Sequence, residues 1–232
     1  MTPLLYQAAR NHVYGQRYEF ESGSITDAMF VYLDGVPSPK SIDTLDRNYR
    51  LRPLVCLTPA WEEYIQKTFP NAYVLSRYMM KPSCQFLTDG EIVLPDGFQV
   101  AFFDEKAFAL HPFSHGENYA SFAEFQEQGA GAVVWHNGNI VASASSFITV
   151  NGEIELDVST EEAYRGKGLA SACISVMLRD CEKRGILVHW DAQNETSRHL
   201  AEKFGFEQDF TYCVYFLPRR ITDESMDCQV KQ

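Results

Sequence analysis

No window of this sequence approaches the roughly 18 consecutive apolar residues that a transmembrane helix needs, and no N-terminal stretch joins a basic start to a long apolar run. Neither a membrane span nor a secretory leader is therefore expected. Positive charge is also in short supply: 20 Lys and Arg stand against 31 Asp and Glu, a net charge of −11 at pH 7. Nonspecific attachment to nucleic acid or to an anionic membrane depends on a cationic surface, so neither is an expected partner. The same balance is compatible with a cationic or amine-bearing substrate, although surface acid is also an ordinary route to solubility. The six cysteines (Cys56, Cys84, Cys173, Cys181, Cys213 and Cys228) form no CxxC pair and have no histidine at ligand spacing beside them. That spacing offers no zinc site, and a chain with this much core is expected to fold without metal or disulfide staples. The expectation is a soluble, cytoplasmic, metal-free protein whose thiols are mostly small core residues.

Internal repeats and low-complexity segments are absent too. What is present is enough apolar material, 45% of 232 residues with 13% aromatic, to bury a sizeable core without staples. Pro82, Gly90, Pro95 and Gly97 cluster in "KPSCQFLTDGEIVLPDG" (81–97), which sets a division near residue 95 between an N-terminal α/β domain (1–95) and a second domain (96–232). In the first, runs at 28–35, 52–59 and 71–80 read as strands and 59–69 as a helix. The polar segment 36–51, with Pro37 and Pro39, reads as a loop. In the second, strands are expected at 98–104 and 131–136, with helical material at 118–129 between them. "NGN" (137–139) and "NG" (151–152) then join 131–136, 140–150 and 153–159 into an antiparallel meander. A period near 3.6 from Leu169 to Arg184 predicts a helix stopped by Gly185. A strand at 186–191, a helix at 194–204 and a strand at 211–217 complete a mixed, largely antiparallel sheet flanked by helices.

The chemistry concentrates where the meander meets the long helix. "YRGKGLASA" (164–172) ends a strand and opens a helix, whose N-terminus offers unpaired N–H groups and about half a positive charge. Gly166 and Gly168 allow close approach and positive φ, and Arg165 and Lys167 add cations. A pyrophosphate cradle and a plain glycine turn with solvated basic residues both fit this stretch by itself. GxxxxGK[ST] and GxGxxG are both missing, which argues against a nucleoside triphosphate and a Rossmann-type dinucleotide. In "EIELDVS" (153–159), Glu153, Glu155 and Asp157 alternate with apolar residues and so share one strand face. If that face lines a wet cleft, a carboxylate with a pKa raised by like charge and partial burial can act as general base, Glu155 first and Asp157 second. A solvated sheet face is the alternative.

Arg165-Gly166-Lys167-Gly168-Leu169-Ala170 follows the pattern [Q/R]-x-x-G-x-[G/A]. With "ELDVSTEEAYRGKGLA" before it and "WDAQNETSRHLAEKFGFE" after it, residues of about 97–217 resemble the GNAT superfamily of N-acetyltransferases, in particular its GNAT acetyltransferase-like subgroup. The resemblance implies a GNAT-like acyl-CoA fold and transfer of an acetyl group from acetyl-CoA, a co-substrate, to a primary amine of a small molecule or peptide, by direct attack. It implies that Arg165, Gly166, Lys167, Gly168, Leu169 and Ala170 hold the CoA pyrophosphate through their N–H groups, and that Val158 and Thr160 pair with the pantetheine arm. Asn194 and Ser197 match the cofactor-contacting position of the later helix, although Asn is also a favoured helix cap. The position matching the family's frequent tyrosine acid is Ala201, and this departure motivates a second reading, a catalytically impaired acyl-CoA-binding module for regulation or assembly. A homodimer is compatible with either reading. His189, Cys173, Cys181 and "RYMMKPS" (77–83) are better explained by packing than by chemistry.

Overall fold

The computed structural model of the chain describes residues 3–11, 13–88, 90, 93–110, 113 and 118–219. Cys228 lies outside them. Contacts divide the chain into two compact units, one spanning Tyr78–Phe210 together with Pro3 and Leu4, and the other Leu5–Arg77 with Thr211 to Arg219. The division expected near residue 95 falls inside the first of these. Segment 81–87 is irregular, yet its backbone finds partners there: Lys81 N donates to Glu207 O at 2.7 Å, Ser83 N to Val188 O at 3.1 Å and Leu87 N to Phe204 O at 3.1 Å. Proline and glycine density reports irregular backbone, whereas a unit boundary depends on where the hydrogen bonds go.

In the Leu5–Arg77 unit, helix α1 (Leu4–Arg10) precedes an antiparallel meander of β1 (Gln16–Phe20), β2 (Gly23–Asp27) and β3 (Val31–Gly35). Helix α2 (Pro39–Asn48), strand β4 (Leu54–Cys56) parallel to β3, helix α3 (Pro59–Thr68) and strand β5 (Tyr73–Met80) follow. The core is Ile25, Leu33, Leu45, Leu54, Trp61 and Ile65 with their neighbours. Helix α2 replaces the loop expected at 36–51. Pro39 sits in its first turn, where the missing N–H costs nothing, and Ser38 and Ser41 form a reciprocal capping box. Ser38 Oγ accepts from Ser41 N at 3.2 Å, and Ser41 Oγ accepts from Ser38 N at 2.8 Å. Ser38→Ala is expected to lower stability by about 1 kcal/mol, read as a shifted midpoint in urea unfolding with an unchanged slope.

In the Tyr78–Phe210 unit, β6 (Phe98–Phe102), α4 (Glu105–Leu110), α5 (Phe122–Gln128), β7 (Gly131–His136), β8 (Asn139–Val150) and β9 (Glu153–Thr160) run in that order. Strands β6 to β9 form the antiparallel meander. Both connecting turns hold Asn and Gly at positive φ, Asn137 (49°) with Gly138 (80°) and Asn151 (54°) with Gly152 (81°), as the tight hairpin turn requires. Helix α6 (Leu169–Arg184) then crosses one face of the sheet, burying Leu169, Cys173, Ile174, Met177 and Leu178 against Ala132, Val134, Ala142, Ala144, Ile154 and Leu156. Phe103, Phe108 and Phe125 pack with Val133 in a separate cluster. The chain continues through β10 (Leu187–His189), β11 (Asp191–Ala192) and α7 (Glu195–Lys203). The final strand β12 (Gln208–Phe216) starts in this unit and continues into the other, within which its Val214 and Tyr215 pair antiparallel with β4.

Candidate functional site

The site begins with a fork. Strand β10 pairs parallel with β9 over three rungs only, the last setting His189 against Glu155. The single strand expected at 186–191 is thus two. After Trp190 the chain leaves, and Asp191 and Ala192 pair antiparallel with Met79 and Tyr78. Strand β9 runs on to Thr160. Among the described residues no strand pairs with that edge of β9 beyond the branch point. Glu155 sits at the branch: it is 5% exposed, and its Oε1 accepts the backbone N–H of Asp191 at 2.9 Å. Two rungs earlier on β9, Glu153 Oε2 lies 2.6 Å from Nε2 of the buried His189.

Ile154 and Leu156 enter the α6 core, so Glu153, Glu155 and Asp157 do share the opposite face of β9. Their surroundings differ, however. Asp157 is half-buried, whereas Glu155 is enclosed and engaged with backbone. Removing the Glu155 carboxylate orphans a buried N–H at the fork, so Glu155→Ala is expected to cost about 1–3 kcal/mol of stability, measurable by chemical denaturation.

Beyond β9 a short 3-10 turn (Glu162–Tyr164) leads into the glycine loop. Gly166 (φ +78°) and Gly168 (φ +77°) both lie in the left-handed region, and among the described residues no atom beyond the chain neighbours stands within 4 Å of where a Cβ would be at either. Glycine is therefore required by backbone conformation rather than by crowding, and the space in front of the loop is open. Gly168 caps the 16-residue α6, whose first-turn N–H groups have no intrahelical acceptors. Arg165 and Lys167 flank it as exposed cations.

Fork and loop enclose a cleft of about 770 Å³. It is lined by Val158, Thr160, Arg165, Gly166, Gly168, Leu169, Ala170, Asn194 and Ser197, which the sequence had singled out; Lys167, Glu155 and Asp157 are not in its wall. Asn194 and Ser197 organise that wall. Asn194 Oδ1 accepts from Ser197 N at 2.9 Å as the cap of α7, and Ser197 Oγ accepts from Trp190 Nε1 at 3.2 Å. Trp190, Gln193 and Phe113 also line the cleft and were not foreseen as site residues, and Tyr164 lines it too. Only a fork at residue 190 explains the first two, and nothing in the local pattern announces it.

Ala201 is 0% exposed and packs into the core, while Thr196, Ser197 and Leu200 are the α7 residues that face the cleft. The tyrosine position matched by sequence is thus turned inward, and Leu200 stands on the cleft side. Tyr164 lines the cleft with its ring packed edge-on to Phe98 (5.8 Å) and tilted toward His136 (5.5 Å). Cys173 and Cys181 are both 0% exposed in the α6 core, out of reach of any substrate, and burial pushes their thiols up to about 12. Met79 and Met80 are buried and serve packing. Among the described residues no cluster of His, Cys, Asp or Glu is arranged to hold a metal ion, and no helix is long and apolar enough to cross a membrane.

Parallel strands that part beside a glycine loop at a helix N-terminus, on an antiparallel meander, define a GNAT-type fold. A GNAT acetyltransferase family model matches residues 7–215, and the chain belongs to that family. The match takes in the Leu5–Arg77 unit as well, beyond the 97–217 span whose motifs carried the resemblance. A GCN5-related N-acetyltransferase-like protein from Streptococcus suis is 26% identical, with 93% of each chain covered and a TM-score of 0.78. A GCN5-related N-acetyltransferase from Kribbella flavida shares the fold at a TM-score of 0.62 and 14% identity, covering 96% of this chain and 99% of that one. An uncharacterized N-acetyltransferase of Bacillus subtilis, YdfB, is 30% identical over 129 residues. That match takes in 53% of this chain and spans about half (49%) of the length of this curated relative.

Proposed function

We propose that this chain is an N-acyltransferase that moves an acetyl group from acetyl-CoA to a primary amine by direct attack. The observation that carries the reading is the cleft in which the unpaired edge of β9 meets the positive-φ glycine loop at the start of α6. In this reading the N–H groups of Arg165 to Ala170 bind the pyrophosphate, with Arg165 and Lys167 adding charge. The Val158–Thr160 edge receives the pantetheine arm. Asp157, half-buried directly before that edge and outside the cleft wall, takes through an intervening water the proton an ammonium must lose before its nitrogen attacks the thioester carbon. Glu155 holds the fork open. The departing thiolate, with an ordinary pKa near 8.5, leaves with little assistance. We place the protein in the cytoplasm, and its acceptor among small-molecule or peptide amines.

Calorimetry with acetyl-CoA, followed by thiol release over a panel of polyamines, amino acids, aminoglycosides and peptide amines, tests this reading. Binding with amine-dependent thiol release is the expected result. Absence of acetyl-CoA binding overturns it. A second reading, an acyl-CoA-binding module with impaired turnover, is favoured by Ala201 in the core and Leu200 on the cleft side, which leave α7 without a phenol at the cleft. Tight binding with no thiol release from any amine selects that reading.

A further inference from the structure

Cys56 ends β4, and Cys213 lies within β12. The two strands pair antiparallel with Val55 opposite Val214 and Leu54 opposite Tyr215, and carrying that register one rung further sets Cys56 opposite Cys213. Directly opposed residues in an antiparallel pair have Cα atoms about 4.5 or about 5.5 Å apart, depending on the rung. Both separations fall in the roughly 4.4–6.8 Å span of disulfides. The side chains also share a face, since both cysteines pack on the core cluster that contains Leu54 and Tyr215, two residues away on each strand. Both are free and half-buried. Burial first, then Glu62, then Cys213 itself push the Cys56 thiol up to about 12, so the two sulfurs lie within electrostatic reach of one another. Nothing in the acyl-transfer reading uses either thiol.

We propose that Cys56 and Cys213 form a cross-strand dithiol that a low-molecular-weight disulfide oxidises to an intramolecular disulfide. The Cys213 thiolate attacks one sulfur of the small disulfide, whose S–S bond breaks and releases one thiol carrying the proton lost by Cys213. Cys56, held as a thiol by its surroundings, is the resolving group: it gives up its proton and attacks the Cys213 sulfur of the mixed disulfide, displacing the second small thiol. The protein loses two hydrogens and two electrons, and the small disulfide is reduced to two thiols. The product ties β12 to β4, two strands distant in sequence, and a cross-link of that kind restricts the unfolded chain.

The test is to incubate the folded full-length chain with glutathione disulfide, trap remaining thiols by alkylation at low pH, and map the digest by mass spectrometry. The expected result is a linked peptide pair containing Cys56 and Cys213, with the six thiols reduced to four apart from any glutathione on Cys84. Dithiothreitol reverses the change, and the oxidised protein unfolds at a higher temperature. In Cys56→Ser, a persistent glutathione adduct on Cys213 is expected instead. A folded wild-type protein that accumulates a Cys213 adduct without the internal link overturns the proposal, as do thiols at both positions left untouched or a link between other cysteines. The wild-type mapping decides the matter even if a serine variant folds poorly.

Discussion

Gly168→Asp is expected to weaken acetyl-CoA binding by on the order of 100-fold while leaving the fold in place. Gly168 has φ +77° and caps α6, and the position a Cβ would take has no neighbour within 4 Å. Asp is among the few residues that accept this conformation through local hydrogen bonding, and the strain is about 1–2 kcal/mol. Its carboxylate would project into the open space assigned to the pyrophosphate. Two unit charges 4 Å apart at a protein surface interact by about 4 kcal/mol, and every 1.4 kcal/mol is about tenfold in affinity. Solvent around an exposed loop reduces that repulsion, which brings the expected loss to roughly 100-fold. Gly168→Asn separates the causes, because Asn has nearly the same shape and the same tolerance of positive φ but no charge. Its affinity is expected to stay within about tenfold of wild type on the same energy scale. Titration calorimetry of the three proteins reads the difference, and added salt should narrow the gap between Asp and Asn. Equal affinity for all three removes phosphate from the loop.

The second large effect is on turnover. Asp157→Asn is expected to lower amine-dependent thiol release by about 10²–10⁴-fold, the usual contribution of a positioned base, with acetyl-CoA affinity unchanged. Glu155→Gln is the matched comparison. The amide oxygen of Gln can still accept the Asp191 N–H that Glu155 now binds at 2.9 Å, so the fork survives and most turnover is retained. The reverse pattern assigns the base to Glu155.

The meander, α6 and α7 were legible because each has a local cause. Asn-Gly pairs fix the two hairpin turns, the apolar residues of α6 recur at helical spacing before Gly185, and Asn194 is a cap that the structure confirms at 2.9 Å. Helix α2 escapes the sequence reading because proline density suggests a loop, whereas Pro39 stands in a first turn, where an N–H would have no intrahelical partner, and Ser38 and Ser41 cap that turn. The Glu155 reading shows a different kind of gap. Alternation along β9 placed its carboxylate on the correct face, yet whether that face is wet depends on Asp191, 36 residues further on.

The sequence by itself determined the glycine loop and most of the cleft wall, since positive φ at Gly166 and Gly168 and the two helix starts at residues 169 and 195 follow from residues adjacent in the chain. Only the tertiary structure decided that β9 and β10 part after Glu155, that Ala201 turns into the core while Leu200 faces the cleft, and that the strands carrying Cys56 and Cys213 pair. These are outcomes of strand pairing and packing between distant segments. Such pairing follows from which groups compete for the same hydrogen bonds and core space, and no local pattern encodes it.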